Sequence, residues 1–200
     1  DNADDRVFLL EGYIFPDTYE FYLESDAQSV VDKFIENYNS KITDEMKQRA
    51  KTLGYTMDQM MTLASVIQKE CDADIDECAN VSSVFHNRLK DPASFPKLES
   101  DVTTFYISQN LKDVIGYQDG VALENQNDEV KKYMELYSTY YRSGLPVGPI
   151  CNPGLKAINA ALHPAETNYV FFLTDESGEH FYYASTIAEH NANGVKAGLF

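Results

Sequence analysis

The stretch MTLASVIQKECDAD, Met61 to Asp74, reads as a helix whose apolar stripe runs into an acid. At about 100° per residue, Met60, Leu63, Ala64, Ile67 and Cys71 share one face. Glu70 falls on the flank of that face, three residues after Ile67, while Gln68 and Lys69 point to the other side. A carboxyl group held against apolar neighbours has its charged form disfavoured, so its pKa rises. It can then hold a proton near neutral pH and donate it, which is what a departing glycosidic oxygen needs. Helical spacing alone leaves a second reading open, in which Glu70 reaches solvent from the helix edge or pairs with a Lys or Arg.

The elements that position this residue follow from hydrophobic period and punctuation. SDAQSVVDKFIENYN has Val30, Val31, Phe34, Ile35 and Tyr38 at helical spacing, with Ser25 or Asp26 as cap. TDEMKQRAKTLG is a second helix between an N-cap Thr43 and a terminating Gly54. Thr56 opens the third, with Gln59 completing a capping box. DECANVSSVFHNRLK is a fourth, and DVTTFYISQN suggests a short fifth. The start, VFLLEGYIFPDTYEFYL, predicts short strands or extended chain. Residues from about 113 to 133 read as polar and irregular, with ENQNDEV as a surface insertion. YSTYYRSGLPVGPICNPG predicts a rigid loop, because proline restricts φ and glycine permits close approach. LKAINAALHP is a short helix, NYVFFLTDESGEHFYYAS a hairpin and IAEHNANGVKAG a closing helix. The expected class is α+β, a helix-dominated core with a late β-hairpin.

Two hundred residues, 44% hydrophobic, suffice for one sizeable core. Sixteen basic residues against thirty-two acidic ones give a net charge of −16, which argues against nucleic acid or an anionic membrane surface as partner. No apolar run reaches the roughly 18 residues of a membrane span, and no signal peptide is visible. The abrupt start at DNADDRVFLL suggests a trimmed longer chain. The cysteines are Cys71, Cys78 and Cys151. On one continuous helix the first two would stand about 10 Å apart, too far to bridge. All three are expected to be buried or half-buried thiols. Their spacing lacks the CxxC or HxxxH pattern of a zinc site, and neither a metal nor a cofactor is expected.

The blocks LEGYIFPDTYEF, TLASVIQKE, VSSVFHNRL, LESDVTTFY, YSTYYRSGLPVGPICNPGLKAINAALHP and HFYYASTIAEHN appear in this order between Leu10 and Asn191. Together they resemble the catalytic domain of the MltG/YceG-like endolytic murein transglycosylases. The resemblance implies a lysozyme-like core, one essential glutamate and cleavage inside nascent peptidoglycan glycan strands. It also implies a single-pass anchor in the bacterial cell membrane, a LysM-like region upstream and an extracytoplasmic catalytic domain. On that basis residues 1–24 would be an extended segment leading from the anchor, and residues 25–200 the catalytic domain. Partners in the cell-wall synthesis machinery are implied as well.

The family's helix usually ends in Glu-x-Glu; here Gln68 takes the first place and Glu70 matches the second, which makes Glu70 the expected catalytic acid. Ser100, Asp101 and Thr103 match the family's Ser-Asp-Pro-Thr block, with Val102 replacing proline. Tyr140 matches the second tyrosine of Tyr-Asn-Thr-Tyr, with Ser138 in place of the asparagine. In GLPVGPICNPG only Val147 departs from the pattern; Gly144, Leu145, Pro146 and Asn152 are expected to face the sugar from a stiff groove wall, the alternative being that the loop is a purely structural turn. Tyr140, Tyr141 and Tyr106 either stack on sugar faces or belong to the core. Asp101 either orients a substrate hydroxyl or caps the helix that follows it. His180, His190 and Glu189 match the final block and are expected in structural roles; His86 is not expected to be catalytic.

The chemistry implied needs one carboxyl group where most glycosidases need two. Glu70 would protonate the oxygen joining MurNAc to GlcNAc. It would then take the proton of the muramic 6-hydroxyl as that oxygen attacks the anomeric carbon, leaving a 1,6-anhydro-MurNAc end. Two rivals stand beside it: a muramidase that delivers water, and a non-catalytic peptidoglycan-binding or scaffolding domain.

Overall fold

The structure, a computed structural model, describes residues 3–199. Among the described residues, eight α-helices precede a single hairpin and a ninth follows it: α1 (Ala27–Lys41), α2 (Asp44–Leu53), α3 (Met57–Glu70), α4 (Ile75–Lys90), α5 (Asp101–Phe105), α6 (Lys112–Ile115), α7 (Asp128–Tyr137), α8 (Leu155–Leu162), β1 (Phe171–Thr174), β2 (Phe181–Ala184) and α9 (Ile187–Lys196). The strands pair antiparallel, with Phe171 opposite Ala184 and Thr174 opposite Phe181. The class is α+β, as expected. No helix among the described residues is long and apolar enough to cross a membrane.

The helix starts form where the cap chemistry places them. Asp26, Thr43, Thr56, Asp74, Asn127 and Thr186 each accept a backbone N–H from the first turn. The Thr56–Gln59 box is closed on both sides. Gly54 ends α2 at φ 87, in the left-handed region open to glycine.

Helix α3 is the centre of the core. Met60, Met61, Leu63, Ala64, Val66 and Ile67 are all inaccessible to solvent, so the helix is enclosed on every side and not only along one stripe. Its two buried hydroxyls are satisfied: Thr62 donates to Asp58 O at 3.0 Å and Ser65 to Thr62 O at 2.7 Å. α8 packs along α3 and reaches α4.

Three expectations fail here. The segment from Val7 to Leu23 contains no strand; it runs through turns that press Val7, Tyr13 and Phe15 onto the core. Phe15 is buried and Tyr13 and Tyr19 are half-buried, whereas Phe8, Phe21 and Tyr22 are exposed, and no strand lies beside the segment to complete a ladder. Gly12 makes one of these turns at φ 89, where a Cβ would lie 2.4 Å from Pro149 Cγ. The stretch read as irregular holds α6 and α7, whose inward residues Ile115, Val130, Met134 and Tyr137 are spread thinly among acids. Finally, Cys71 and Cys78 form a disulfide with Cα atoms 5.5 Å apart. The continuous helix assumed for them does not exist: Cys71 ends α3 with extended backbone and α4 begins after Asp74. Cys151 remains a thiol.

Candidate active site

Glu70 is the last residue of α3, so its backbone sits at the helix end while its side chain leaves the core sideways. It stands on the wall of an open cleft of about 670 Å³. Much of its apolar lining comes from the hairpin and α9: Phe171, Phe172, Leu173 and Ile187. Burial pushes the Glu70 pKa up; a hydrogen bond from Ser100 works against this, and the nearby charge of Asp101 adds to it. No Lys or Arg pairs with Glu70 among the described residues. Ser100 Oγ donates to Glu70 Oε1 at 2.5 Å. Oε2 has no hydrogen-bond partner among the described residues and is left as the oxygen able to carry a proton into the cleft.

Ser100 occupies the N-cap position of α5, where a serine ordinarily caps; no such cap bond forms, because the hydroxyl is turned to Glu70. Its backbone is held by Thr139, whose Oγ1 accepts Ser100 N–H at 2.9 Å. Thr103 lies behind it, fully buried, donating to Ser100 O at 2.6 Å and accepting Thr139 N–H at 3.0 Å. Asp101 is the first residue of α5 and accepts the Tyr140 hydroxyl at 2.8 Å. Burial and this acceptor push the Tyr140 pKa up to about 12, so its phenol stays protonated.

Glu70, Ser100, Asp101 and Tyr140 therefore share the cleft. Thr103 supports them from behind. The Gly-Pro loop lies elsewhere. Pro146 through Ile150 are buried, and the loop grips the flank of α3: Ser65 Oγ accepts Ile150 N–H at 2.9 Å, and Gln68 Oε1 accepts Gly154 N–H at 3.1 Å. Asn152 Oδ1 accepts the N–H groups of Gly12 and Ile14 at 2.8 and 3.1 Å. Leu145 and Pro146 border a separate hollow of about 390 Å³ with Arg6 and Tyr55. Gly144 turns at φ 73 and donates to Pro96 O. Tyr106 packs on Tyr137 in the core, and Tyr141 is exposed outside the cleft lining. His190 stacks on Phe171 beside the cleft, His180 pairs with Asp175 at the hairpin turn, and Glu189 closes the α9 capping box. His86 is buried, with Nε2 donating to Ala161 O at 2.8 Å.

Two residues with a part in this geometry carried no signal of their own: Arg88, at the end of a helix motif, and Thr139, between two tyrosines. Among the described residues no cluster of three or more His, Cys, Asp or Glu is gathered that would hold a metal ion.

The fold and the cleft define an α+β protein with one half-buried acid, without a cationic partner among the described residues, steadied by a serine hydroxyl. The chain belongs to the YceG-like family, whose model matches residues 2–196. It is 34% identical over 183 residues to a Bacillus subtilis protein named endolytic murein transglycosylase, covering 91% of this chain and 46% of that one. A Streptococcus pneumoniae protein of the same name is 26% identical over 186 residues, covering 93% and 32%. A crystal structure of a YceG-like protein from Listeria monocytogenes superposes with a TM-score of 0.72 at 26% identity, over 94% of this chain and 56% of the other. The chain thus spans about half the length, or less, of these curated relatives.

Proposed function

We propose that this chain is the catalytic domain of an endolytic peptidoglycan lytic transglycosylase, with Glu70 acting first as acid and then as base. The observation that carries the reading is Glu70 itself: a carboxyl group with a raised pKa, no cationic partner among the described residues, and an open cleft beside it. Its proton passes to the oxygen between MurNAc and GlcNAc as that bond breaks. The resulting carboxylate, held by the Ser100 hydroxyl, takes the proton of the muramic 6-hydroxyl as it closes on the anomeric carbon. The product is a 1,6-anhydro-MurNAc end, formed without water. Asp101 and Tyr140 offer a paired carboxylate and phenol to sugar hydroxyls. The relatives' name supports this substrate.

Residues 25–200 are the lysozyme-like catalytic unit. Residues 1–24 lead from an upstream membrane anchor and LysM-like region, and the domain acts outside the cytoplasm beside the wall-building machinery. The Cys71–Cys78 disulfide supports an oxidising compartment.

One observation favours a second reading: Asp101 is another carboxylate in the cleft, as a water-delivering muramidase would require. Incubating wild type and Glu70→Gln with uncrosslinked glycan strands, followed by product mass analysis, tests both. Anhydro ends from wild type and none from the variant are expected. Reducing ends heavier by one water support the muramidase instead, and anhydro ends from the variant remove Glu70 from its role.

A further inference from the structure

We propose that Arg88 is a positioning residue for the acid: it clamps the loop before α5 so that Ser100 is delivered to Glu70. Its rate consequence rests on the transglycosylase reading above; the geometric part does not.

Arg88 lies in the last turn of α4 and is only 7% exposed. A charge so buried needs acceptors, and its Nε and Nη1 groups have them. Nε donates to Val170 O at 2.7 Å, while Nη1 donates to Leu98 O at 3.0 Å and to Glu99 Oε2 at 3.1 Å. The rings of Phe95 and Phe171 flank the guanidinium at 5.5 and 5.2 Å. One planar fork thus joins α4, the loop at 98–99 and the chain entering β1, three parts of the cleft wall. A lysine has the charge but not the fork.

Glu99 is where the clamp bears on the site. It is the one non-glycine residue with positive φ among those described, at φ 54. An L side chain adopts this conformation at a cost, so something must hold it there. Two contacts do: Glu99 N–H to Thr139 O at 3.3 Å, and its carboxylate on Arg88. The turn at Glu99 aims the next residue, Ser100, at Glu70. Arg88 itself makes no hydrogen bond to Glu70 among the described residues, so its influence travels through this turn. The charged and titratable groups sharing the cleft with Glu70 are Asp101 on α5, Glu99 before it, Tyr140, Arg88 on α4 and His190 on α9.

The test reads the titration midpoint of Glu70 by carbon-13 NMR of its carboxyl carbon, together with kcat and KM on glycan strands. Arg88→Met is expected to move the midpoint to higher pH, as Ser100→Ala does, because both remove the hydroxyl donor. The double variant should move no further than Ser100→Ala alone. Loss of the serine that orients the acid predicts a kcat about 100-fold lower with KM little changed, and Arg88→Lys should restore only part of it. Glu99→Gly should keep the wild-type midpoint, since glycine holds φ 54 without strain, whereas Glu99→Ala should not. An unmoved midpoint in Arg88→Met overturns the proposal. So does additivity in the double variant, which signals a direct charge effect, and so do equal effects of the two Glu99 variants. If Arg88→Met does not fold, the Glu99 pair decides alone. If wild type cleaves no glycan but the midpoints move as described, the transglycosylase reading falls and the role of Arg88 stands.

Discussion

The Ser100 hydroxyl and the Glu70 carboxyl meet at 2.5 Å across 30 residues of chain. One comes from the start of a five-residue helix, the other from the end of the central one. Burial raises the acid's pKa while the hydroxyl restrains the rise. The balance suits a group that must give up a proton and then take one back.

Removing the hydroxyl should show on the pH profile. In the proposed mechanism the protonated form of Glu70 starts the reaction, so activity falls as pH rises through its pKa. Ser100→Ala lifts that pKa further, and the alkaline limb of kcat/KM is expected to move to higher pH. A hydrogen bond to a charged acceptor contributes about 1.5–3 kcal/mol, so the plateau should also fall about tenfold or more. A limb that stays in place contradicts the assignment.

Glu70→Gln should be more stable than wild type at neutral pH. The folded pKa lies above the ordinary 4.5, so the folded state binds the proton more tightly than the unfolded one. Stability is therefore highest below that ordinary value and declines as pH rises through the folded pKa. Glutamine has no such penalty. Thermal melts at about pH 7.5 and about pH 4 should show a gain for the variant that shrinks at the lower pH. A gap independent of pH would count against a desolvated acid.

The disulfide closes a short ring immediately after the acid. Chain-entropy arithmetic for a ring of about eight residues gives ~2.5 kcal/mol. Cys78→Ser, or reduction of the wild type, should lower Tm by about 5–10 °C in a domain of this size. Melts with and without reductant measure it, and coincident curves would show that the bond contributes nothing.

The α3 flank gives the last prediction. Gln68 accepts the Gly154 N–H, which is an acceptor's task that glutamate also performs. Gln68→Glu should leave stability within a few tenths of a kcal/mol, and Gln68→Ala should cost about 1–3 kcal/mol by orphaning the donor. Asn152→Ala orphans two donors, those of Gly12 and Ile14. It should expose the N-terminal segment to limited proteolysis, whereas digestion like that of the wild type would deny it the clamping role. Chemical denaturation reports the first pair and cleavage mapping the second.

The helices from Asp26 to Leu53 were legible because their signals are local: a cap side chain, a period of 3.6 and a terminal glycine. The hairpin was legible for the same reason, with its Asp-Glu-Ser-Gly turn between aromatic runs. Helix α7 escaped notice because its few inward residues sit among acids. In the N-terminal segment the strand alternative fails because alternation does not require a neighbouring strand. The disulfide was missed through a wrong assumption about one backbone: spacing along a helix says nothing once the helix ends at Cys71.

By itself the sequence determined an acid next to the apolar stripe of a well-capped helix, an α+β layout, and a charge that disfavours nucleic acid. These depend on side-chain period and composition, which are properties of neighbours in the chain. Only the tertiary structure decided that Ser100 would reach that acid, that Arg88 would hold the turn before it, and that the Gly-Pro loop would grip α3 and the N-terminal segment. Such contacts join residues from 11 to 140 positions apart. Their distances are set by how helices and loops pack around α3, and no local pattern encodes that.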